Sequence, residues 1–553
     1  MSDRGFWRAL AAILILAAML RAIFPAADPP WRSTVGVVWH DEGAWTHNAR
    51  NKALYGAWVQ DQWNPVYIAP VFTGLEYASF AAFGVGLRQA RLVSEIAGVL
   101  SVLLLALGMR RIAGRTAGVY AGALAASNYV YVMYDRAAIM EGLMTAFIVA
   151  SWYCSTRAQH EPKWGAAAGA MAALAFFTKA AAAFYVGALG LVALLALMPA
   201  AGGRARASLW TLAGLAAAFA LIGALFVVPH WTDYRFYNWQ MSVTRKPSYD
   251  LASLLQRVTW FPALHDTFSR SWPELLLTLL GAWQIAARWR QATEPERLLL
   301  LWVAVGSLEM LVHDVGNERR FVFLLPALAA FTALALTRRS FEFRRPATVL
   351  GWLAVPLVFY SCYVAAAPLT RLLFLAAVHN HVLGGTVRLA AAAAMLGGSL
   401  TMFQLRRSEA VSLFIRPPGA IAALALLLCW DVAQFGDWAR WRSYKNYQAM
   451  LALGTAVPPG TLIQGKLANG LALENRIRPI FIGHEFGNYA DRKERDDVRY
   501  ILTYTSPRLG YEGSQIKDVL DASPGWRIIM NFDVAESPSG HDTAALIEKR
   551  ARD

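Results

Sequence analysis

VWHDEGAWTHNARN, residues 38–51, follows the first hydrophobic segment and sets two adjacent carboxylates, Asp41 and Glu42, among Trp39, His40, Trp45 and His47. Only 16% of the chain is charged, so the position of each acid carries information. One reading is local: an acid at the start of the amphipathic stretch EGAWTHNARNKAL caps a helix and favours its dipole. The other is functional and depends on where the pair falls relative to a membrane.

Of the 553 residues 57% are hydrophobic, with 21 Trp and 27 Phe, too apolar a balance for an ordinary soluble protein. Apolar runs of about 17 to 25 residues recur from end to end, the length a helix needs to cross a bilayer. The reading is a polytopic α-helical membrane protein. The net charge of +15 gathers in short loops between spans, the positive-inside pattern, and does not call for nucleic acid. Cys154, Cys362 and Cys429 lie in or beside hydrophobic segments with no metal or redox spacing and read as core residues. Residues 2–20 resemble a signal peptide, but with further spans following they read as an uncleaved first span.

Asp3, Arg4 and Arg8 place the amino terminus inside, so residues 24–65, with Asp41 and Glu42, lie outside. Were Val66–Gly86 a span, Arg110, Arg111 and Arg115 would fall outside, against the charge rule. Read as a helix along the outer interface, with Glu76 mid-run and Tyr67, Phe72, Tyr77, Phe80 and Phe83 on it, this run restores the alternation. About thirteen spans result. The third is Gly118–Met133, and the last six are Glu274–Ala287, Leu298–Val312, Phe321–Leu336, Val349–Ala366, Leu389–Phe403 and Ala420–Ala433.

Charges that remain in apolar sequence mark the outer ends of these spans. Glu141 follows Arg136 by five residues, and the pair reads either as a structural ion pair or as the second half of a site begun by Asp41. Lys179, in FFTKAAAAF, lies near the outer surface. The outer loop at 229–251 carries Arg235, Arg245 and Lys246 among aromatics, which suits an interfacial anchor or an anionic-lipid surface. Arg319 and Arg320 fall outside and break the charge bias, so a partner such as Glu318, Asp314 or a bound phosphate is expected. Residues 1–435 form the membrane domain on this reading. Residues 436–553 form a small extracytoplasmic α/β domain, with short strands in TLIQG, YILTYT, WRIIMNF and TAALIEK and a helix in SQIKDVLDA.

In their order, HDEGAW, NPVYIAPVFTGLEYASFAAFG, RLVSEIAGVLSVLLLALGMRRIAGR, RAAIMEGLMTAF, FFTKAA and RRFVFLLPALA resemble the GT-C membrane glycosyltransferases, in the branch of protein O-mannosyltransferases and lipid A aminoarabinose transferases. The resemblance covers residues 38–334 and implies a GT-C fold with juxtamembrane helices. It further implies a bacterial-type inner membrane location, with the active site and tail facing the periplasm or exterior. It puts the catalytic base on Asp41, with Glu42 beside it. Glu141 stands where the family has Asp, and Asn64 stands before Pro65 where the family often has Lys or His. Lys179, Arg245 and Lys246 are then candidates for the donor phosphate, as are Arg319 and Arg320. His40, Asn64, Tyr67 and Arg136 are substrate or structural positions.

The chemistry implied is transfer of a sugar from a polyprenyl-phosphate donor to a lipid, glycan or protein acceptor, inverting the anomeric centre. A carboxylate takes the acceptor's proton while Lys and Arg stabilise the departing phosphate. No cofactor is required; a divalent cation bridging Asp41 and Glu141 is compatible with hard oxygen ligands. Rival readings are a transporter, a lipid-linked oligosaccharide polymerase or ligase, and a noncatalytic envelope sensor. Against the first stand the absence of an obvious internal repeat and the placing of the acids in outer loops.

Overall fold

The computed structural model describes residues 1–30, 39–198, 205–243, 248–264, 266–313, 318–344, 397–398, 410–482, 490, 492–506, 514–535 and 542–549. Ten helices lead: α1 (Asp3–Ala22), α2 (His40–Tyr55), α3 (Pro70–Phe83), α4 (Leu87–Ala113), α5 (Arg115–Ser127), α6 (Tyr129–Asp135), α7 (Met140–Ala158), α8 (Trp164–Thr178), α9 (Ala183–Leu197) and α10 (Ala205–Ile222). They are followed by α11 (Trp231–Val243), α12 (Leu251–Leu264), α13 (Asp266–Ala286), α14 (Glu294–His313) and α15 (Leu325–Arg338). A long helix, α16 (Pro417–Trp441), leads into α17 (Lys445–Ala456), the short α18 (Lys466–Gly470) and α19 (Ser514–Asp521).

Six helices among the described residues are long and apolar enough to cross a bilayer, or seven when α6 and α7, bent by 114°, count as one span. The expected spans at 349–366 and 389–403 lie outside the described residues, as does Cys362. The expected span at Gly118–Met133 is two helices: the chain breaks at Asn128, whose side chain accepts a hydrogen bond from the Tyr131 amide (3.0 Å) and caps α6. Cys154 is buried as expected, whereas Cys429 is exposed on α16. Also unexpected is a strand pair, β1 (Ser340–Arg344) antiparallel to β2 (Ala410–Phe414), at the end of α15.

Two opposed ends organise the bundle. At one, Asp3 of α1 meets Arg110 (2.8 Å) and Arg115 (3.0 Å), so the start of α1 lies beside the end of α4 and the start of α5. At the other, Arg21 in the last turn of α1 pairs with Asp135 at the end of α6 (2.8 Å), both wholly buried. Gly98 makes this approach feasible, since a Cβ there would lie 2.2 Å from the Asp135 carboxylate. The chain leaves α1 at this second end, and α2 with Asp41 follows.

Pro65–Tyr67 forms one 3-10 turn and α3 has 14 residues, closed by Gly84 at φ +84°. At 1.5 Å per residue α3 spans about 21 Å, short of a bilayer core of about 30 Å. The expected non-spanning helix is therefore compatible with its length.

Four C-terminal strands form where alternation placed them: β3 (Leu462–Gln464), β5 (Tyr500–Ser506), β6 (Arg527–Val534) and β7 (Asp542–Glu548). The strand β4 (Arg478–Ile480) escaped the sequence reading. The sheet order is β4-β3-β5-β7-β6, with β3 parallel to both β4 and β5 and β7 antiparallel to β5 and β6.

This C-terminal region is joined directly to α2. The buried Arg50 guanidinium donates to the carbonyls of Ala472 (3.1 Å), Asn475 (2.8 Å) and Ile477 (2.9 Å). Glu474 accepts from the Leu87 amide at the start of α4 (2.7 Å), where an acid favours the helix dipole. Backbone meets backbone as well: a Cβ at Gly43 would lie 1.8 Å from the Asn469 carbonyl oxygen, and one at Gly470 would lie 2.6 Å from the His40 Cβ.

Candidate active site

Helix α2 starts at His40 with Trp39 at the cap, so Asp41 lies inside the first turn and makes no capping hydrogen bond. Its Oδ2 instead accepts from Arg319 Nη1 at 2.5 Å. Arg319 is the second residue of the 3-10 segment Glu318–Leu324 that leads into α15, and its Nε stands 3.5 Å from Glu141 Oε1 in the first turn of α7. Lys179, at the break after α8, donates to the same Glu141 oxygen. Four charges from four distant parts of the chain thus meet in one largely buried cluster, two acids alternating with two bases.

Burial alone would push the Asp41 carboxyl up; Arg319, His40 and Lys466 outweigh it and hold that carboxyl well below the usual range. His40 Nε2 is 3.7 Å from Asp41 Oδ1. Lys466 opens α18, the helix against which Gly43 is packed, so the C-terminal region adds positive charge beside Asp41. Sequence reading missed Lys466, because charged residues are common in the tail and nothing local marks this one.

The neighbouring Glu42 belongs to a different assembly. Its carboxylate takes two parallel bonds from Arg91 of α4, both 2.8 Å, and a third from the Ala138 amide at 2.9 Å. Arg91 also donates to the carbonyls of Pro25 (2.9 Å) and Ala27 (2.7 Å), fastening the stretch that follows α1. Close by, the carboxyl of Glu76 on α3 is wholly buried. Burial, with the Glu42 charge added, holds it well above its ordinary value of 4.5.

Of the two readings of Arg136 and Glu141, the ion pair does not form, and Glu141 lies instead with Arg319 and Lys179. Arg136 donates to the carbonyls of Leu20 (2.9 Å), Arg21 (2.8 Å) and Phe24 (3.0 Å) and lies over the Trp438 ring, holding the end of α1. Arg320 turns away from Arg319 towards Glu309, 3.6 Å distant. Asn64 donates to the Asp61 carbonyl (2.7 Å) and the Tyr237 hydroxyl (2.9 Å) and accepts from Asn48 (2.9 Å); it shapes the turn into α3. Tyr67 stacks on Tyr237 of α11 with centroids 5.6 Å apart. Arg245, Lys246 and Asp314 lie outside the described residues.

The bridging cation fits poorly. A guanidinium already bonds to Asp41 and stands beside Glu141, and the described residues contain no group of three His, Cys, Asp or Glu able to complete a metal site.

Residues 68–231 match the family model of dolichyl-phosphate-mannose-protein mannosyltransferases. Curated protein sequences give no match. Among solved structures, ArnT from Cupriavidus metallidurans, bound to undecaprenyl phosphate, is 16% identical with a TM-score of 0.56 over 99% of this chain and 98% of that one. The oligosaccharyltransferase AglB from Archaeoglobus fulgidus, in complex with an inhibitory peptide and a dolichol-phosphate, is 13% identical at a TM-score of 0.50, over 99% and 74%. An Archaeoglobus fulgidus oligosaccharyltransferase in the apo form gives 14% and 0.51, over 97% and 75%. At such identities the likeness is one of architecture, and with the matched segment it agrees with the order of motifs along the sequence. The chain has the fold of the GT-C glycosyltransferases.

Proposed function

We propose that the protein transfers a sugar from a polyprenyl-phosphate donor to an acceptor hydroxyl at the outer face of the membrane, with inversion and with Asp41 as general base. The observation that carries this reading is the Asp41, Arg319, Glu141 and Lys179 cluster. It lies at the end of the bundle opposite the Asp3, Arg110 and Arg115 corner, and the charge rule puts that corner inside.

In the resting site Arg319 neutralises Asp41 and weakens it as a base. A donor phosphate competes for the same guanidinium, since planar N–H pairs suit phosphate as well as carboxylate. Once Arg319 turns to the phosphate, Asp41 becomes more basic and takes the proton of the acceptor hydroxyl. The acceptor oxygen bonds to the anomeric carbon as the bond from that carbon to the phosphate oxygen breaks. Its electron pair leaves with the polyprenyl phosphate, which gains one negative charge. Arg319 and Lys179 meet that charge where it develops, the arrangement by which fixed charges lower a barrier. Glu141 holds both cations in place between turnovers, and Lys466 extends the positive rim from the C-terminal side.

Turnover of a polyprenyl-phosphate sugar by the purified protein, with the product identified by mass spectrometry after incubation with native lipid extract, tests the reading. Asp41→Asn keeps the shape and removes the base, so the rate is expected to fall about 10² to 10⁴-fold. A normally folded Asp41→Asn protein that transfers at the parent rate would falsify the assignment.

A further inference from the structure

Positive charge outweighs negative around Asp41. Arg319 bonds to Asp41 and stands beside Glu141, and Lys179 donates to Glu141, so these two bases balance the two acids. Of their neighbours, Glu42 is matched by Arg91, and Arg320 stands by Glu309. Lys466 comes in addition. Its charge acts on Asp41, yet among the described residues its ammonium has no hydrogen bond and no carboxylate at ion-pair distance. Among the side chains described, the cluster therefore holds one cation more than its acids can balance.

The fold brings this lysine in by a tight turn. Strand β3 ends at Gln464, and the chain turns at Gly465, where φ is +129° and a Cβ would lie 2.3 Å from the Leu502 carbonyl oxygen, so only glycine fits. Lys466 then opens α18. Leu467, Ala468 and Leu471 are wholly buried in the apolar core of the C-terminal region and set the rotation of this short helix. Lys466, Asn469 and Gly470, spaced i, i+3 and i+4, share its other face. That face lies on the first turn of α2: the Asn469 carbonyl abuts Gly43, and Gly470 abuts His40. Lys466 is only partly buried, so its ammonium can meet a ligand.

We propose that Lys466 binds the donor phosphate directly, so that the C-terminal region supplies part of the donor site. A polyprenyl-phosphate sugar is a phosphodiester with one negative charge, equal to the surplus. Arg319 is held between two carboxylates, whereas Lys466 offers a point charge on a flexible stem, able to take a phosphate before Arg319 has turned to it. This assignment rests on the proposed transferase function and adds a ligand to the same site.

Titration of the full-length protein in detergent with undecaprenyl phosphate, and separately with undecaprenol, followed by thermophoresis, tests it. The parent is expected to hold the phosphate lipid about tenfold or more tighter than the neutral one, since a hydrogen bond to a charged group accounts for that much. Lys466→Gln and Lys466→Met, both neutral and of similar length, should each weaken undecaprenyl phosphate about tenfold and leave undecaprenol unchanged. Lys466→Arg, which keeps the charge, should retain most of the affinity. Lys466 makes no bond among the described residues, so the variants should fold, and their unfolding midpoints check this. Undiminished affinity for undecaprenyl phosphate in the folded neutral variants would overturn the proposal, as would an equal loss for both lipids. Either result leaves the transferase reading standing, because the parent still selects the phosphate. A parent that binds the two lipids alike would count against both.

Discussion

Glu42→Gln separates two roles that adjacency in sequence confounds. Were Glu42 a partner of Asp41 in proton transfer, the change would lower the rate and leave the fold intact. The structure instead has Glu42 and Arg91 as a bidentate pair, with 2% and 4% of their side chains exposed. Removing one member of a buried pair costs about 3–5 kcal/mol, because the other charge is left uncompensated. Two features put the expected loss at the lower end, near 3 kcal/mol. Arg91 keeps the Pro25 and Ala27 carbonyls, and glutamine retains an oxygen for the Ala138 amide or one guanidinium N–H. Thermal unfolding in detergent, followed by tryptophan fluorescence, reads this as a lowered midpoint. A second change, Arg91→Met, should restore much of it, since a neutral apolar replacement of both partners avoids the stranded charge. Transfer measured at a temperature where Glu42→Gln remains folded should stay within about tenfold of the parent, below the loss expected on removing a base. An unchanged midpoint together with a hundredfold loss of rate would refute the structural assignment of Glu42.

Arg319→Lys should weaken donor affinity about tenfold through loss of the planar fork, and Arg320→Lys should not, as titration with a labelled polyprenyl-phosphate sugar will read. Glu76→Gln bears on pH: the folded carboxyl holds its proton above 4.5 while the unfolded one releases it, so parent stability falls as pH rises through the ordinary range and levels off past the raised folded value. The Gln variant should lose that slope and unfold at a higher temperature than the parent at pH 8; identical pH profiles would exclude a protonated Glu76. Gly43→Ala drives a methyl into the Asn469 carbonyl and should cost about 1–3 kcal/mol, visible as faster proteolysis of residues 466–476.

Much of the cluster was legible because charge is rare in this chain. Asp41, Glu141, Lys179 and Arg319 each interrupt apolar or aromatic sequence at a predicted outer end, and each reaches the same place. Their immediate neighbours were not legible in the same way. Consecutive residues point about 100° apart on an α-helix and about 120° apart on a 3-10 turn, so Glu42 leaves Asp41 for Arg91, and Arg320 leaves Arg319 for Glu309. The alternative offered for Arg136 failed because carbonyls freed at the end of α1 can satisfy a guanidinium without any acid. Strand β4 has three residues, one of them Pro479, too short for alternation to register. The contribution of Lys466 depends on its approach to Asp41 across more than 400 positions, which no local pattern encodes.

The Arg50 clasp sets an order of events in time. Its guanidinium is buried on α2, and the first of its carbonyl partners lies 422 residues later. At synthesis rates of about 5–20 residues per second, those partners leave the ribosome roughly 20 to 80 s after Arg50 does. Throughout that interval the guanidinium lacks those three carbonyls, and α2 has only its contacts with earlier elements, the Glu42 bonds to Arg91 and Ala138 among them. The helix that carries Asp41 is among the first segments made, yet the carbonyls that receive Arg50, in the stretch between α18 and β4, are among the last.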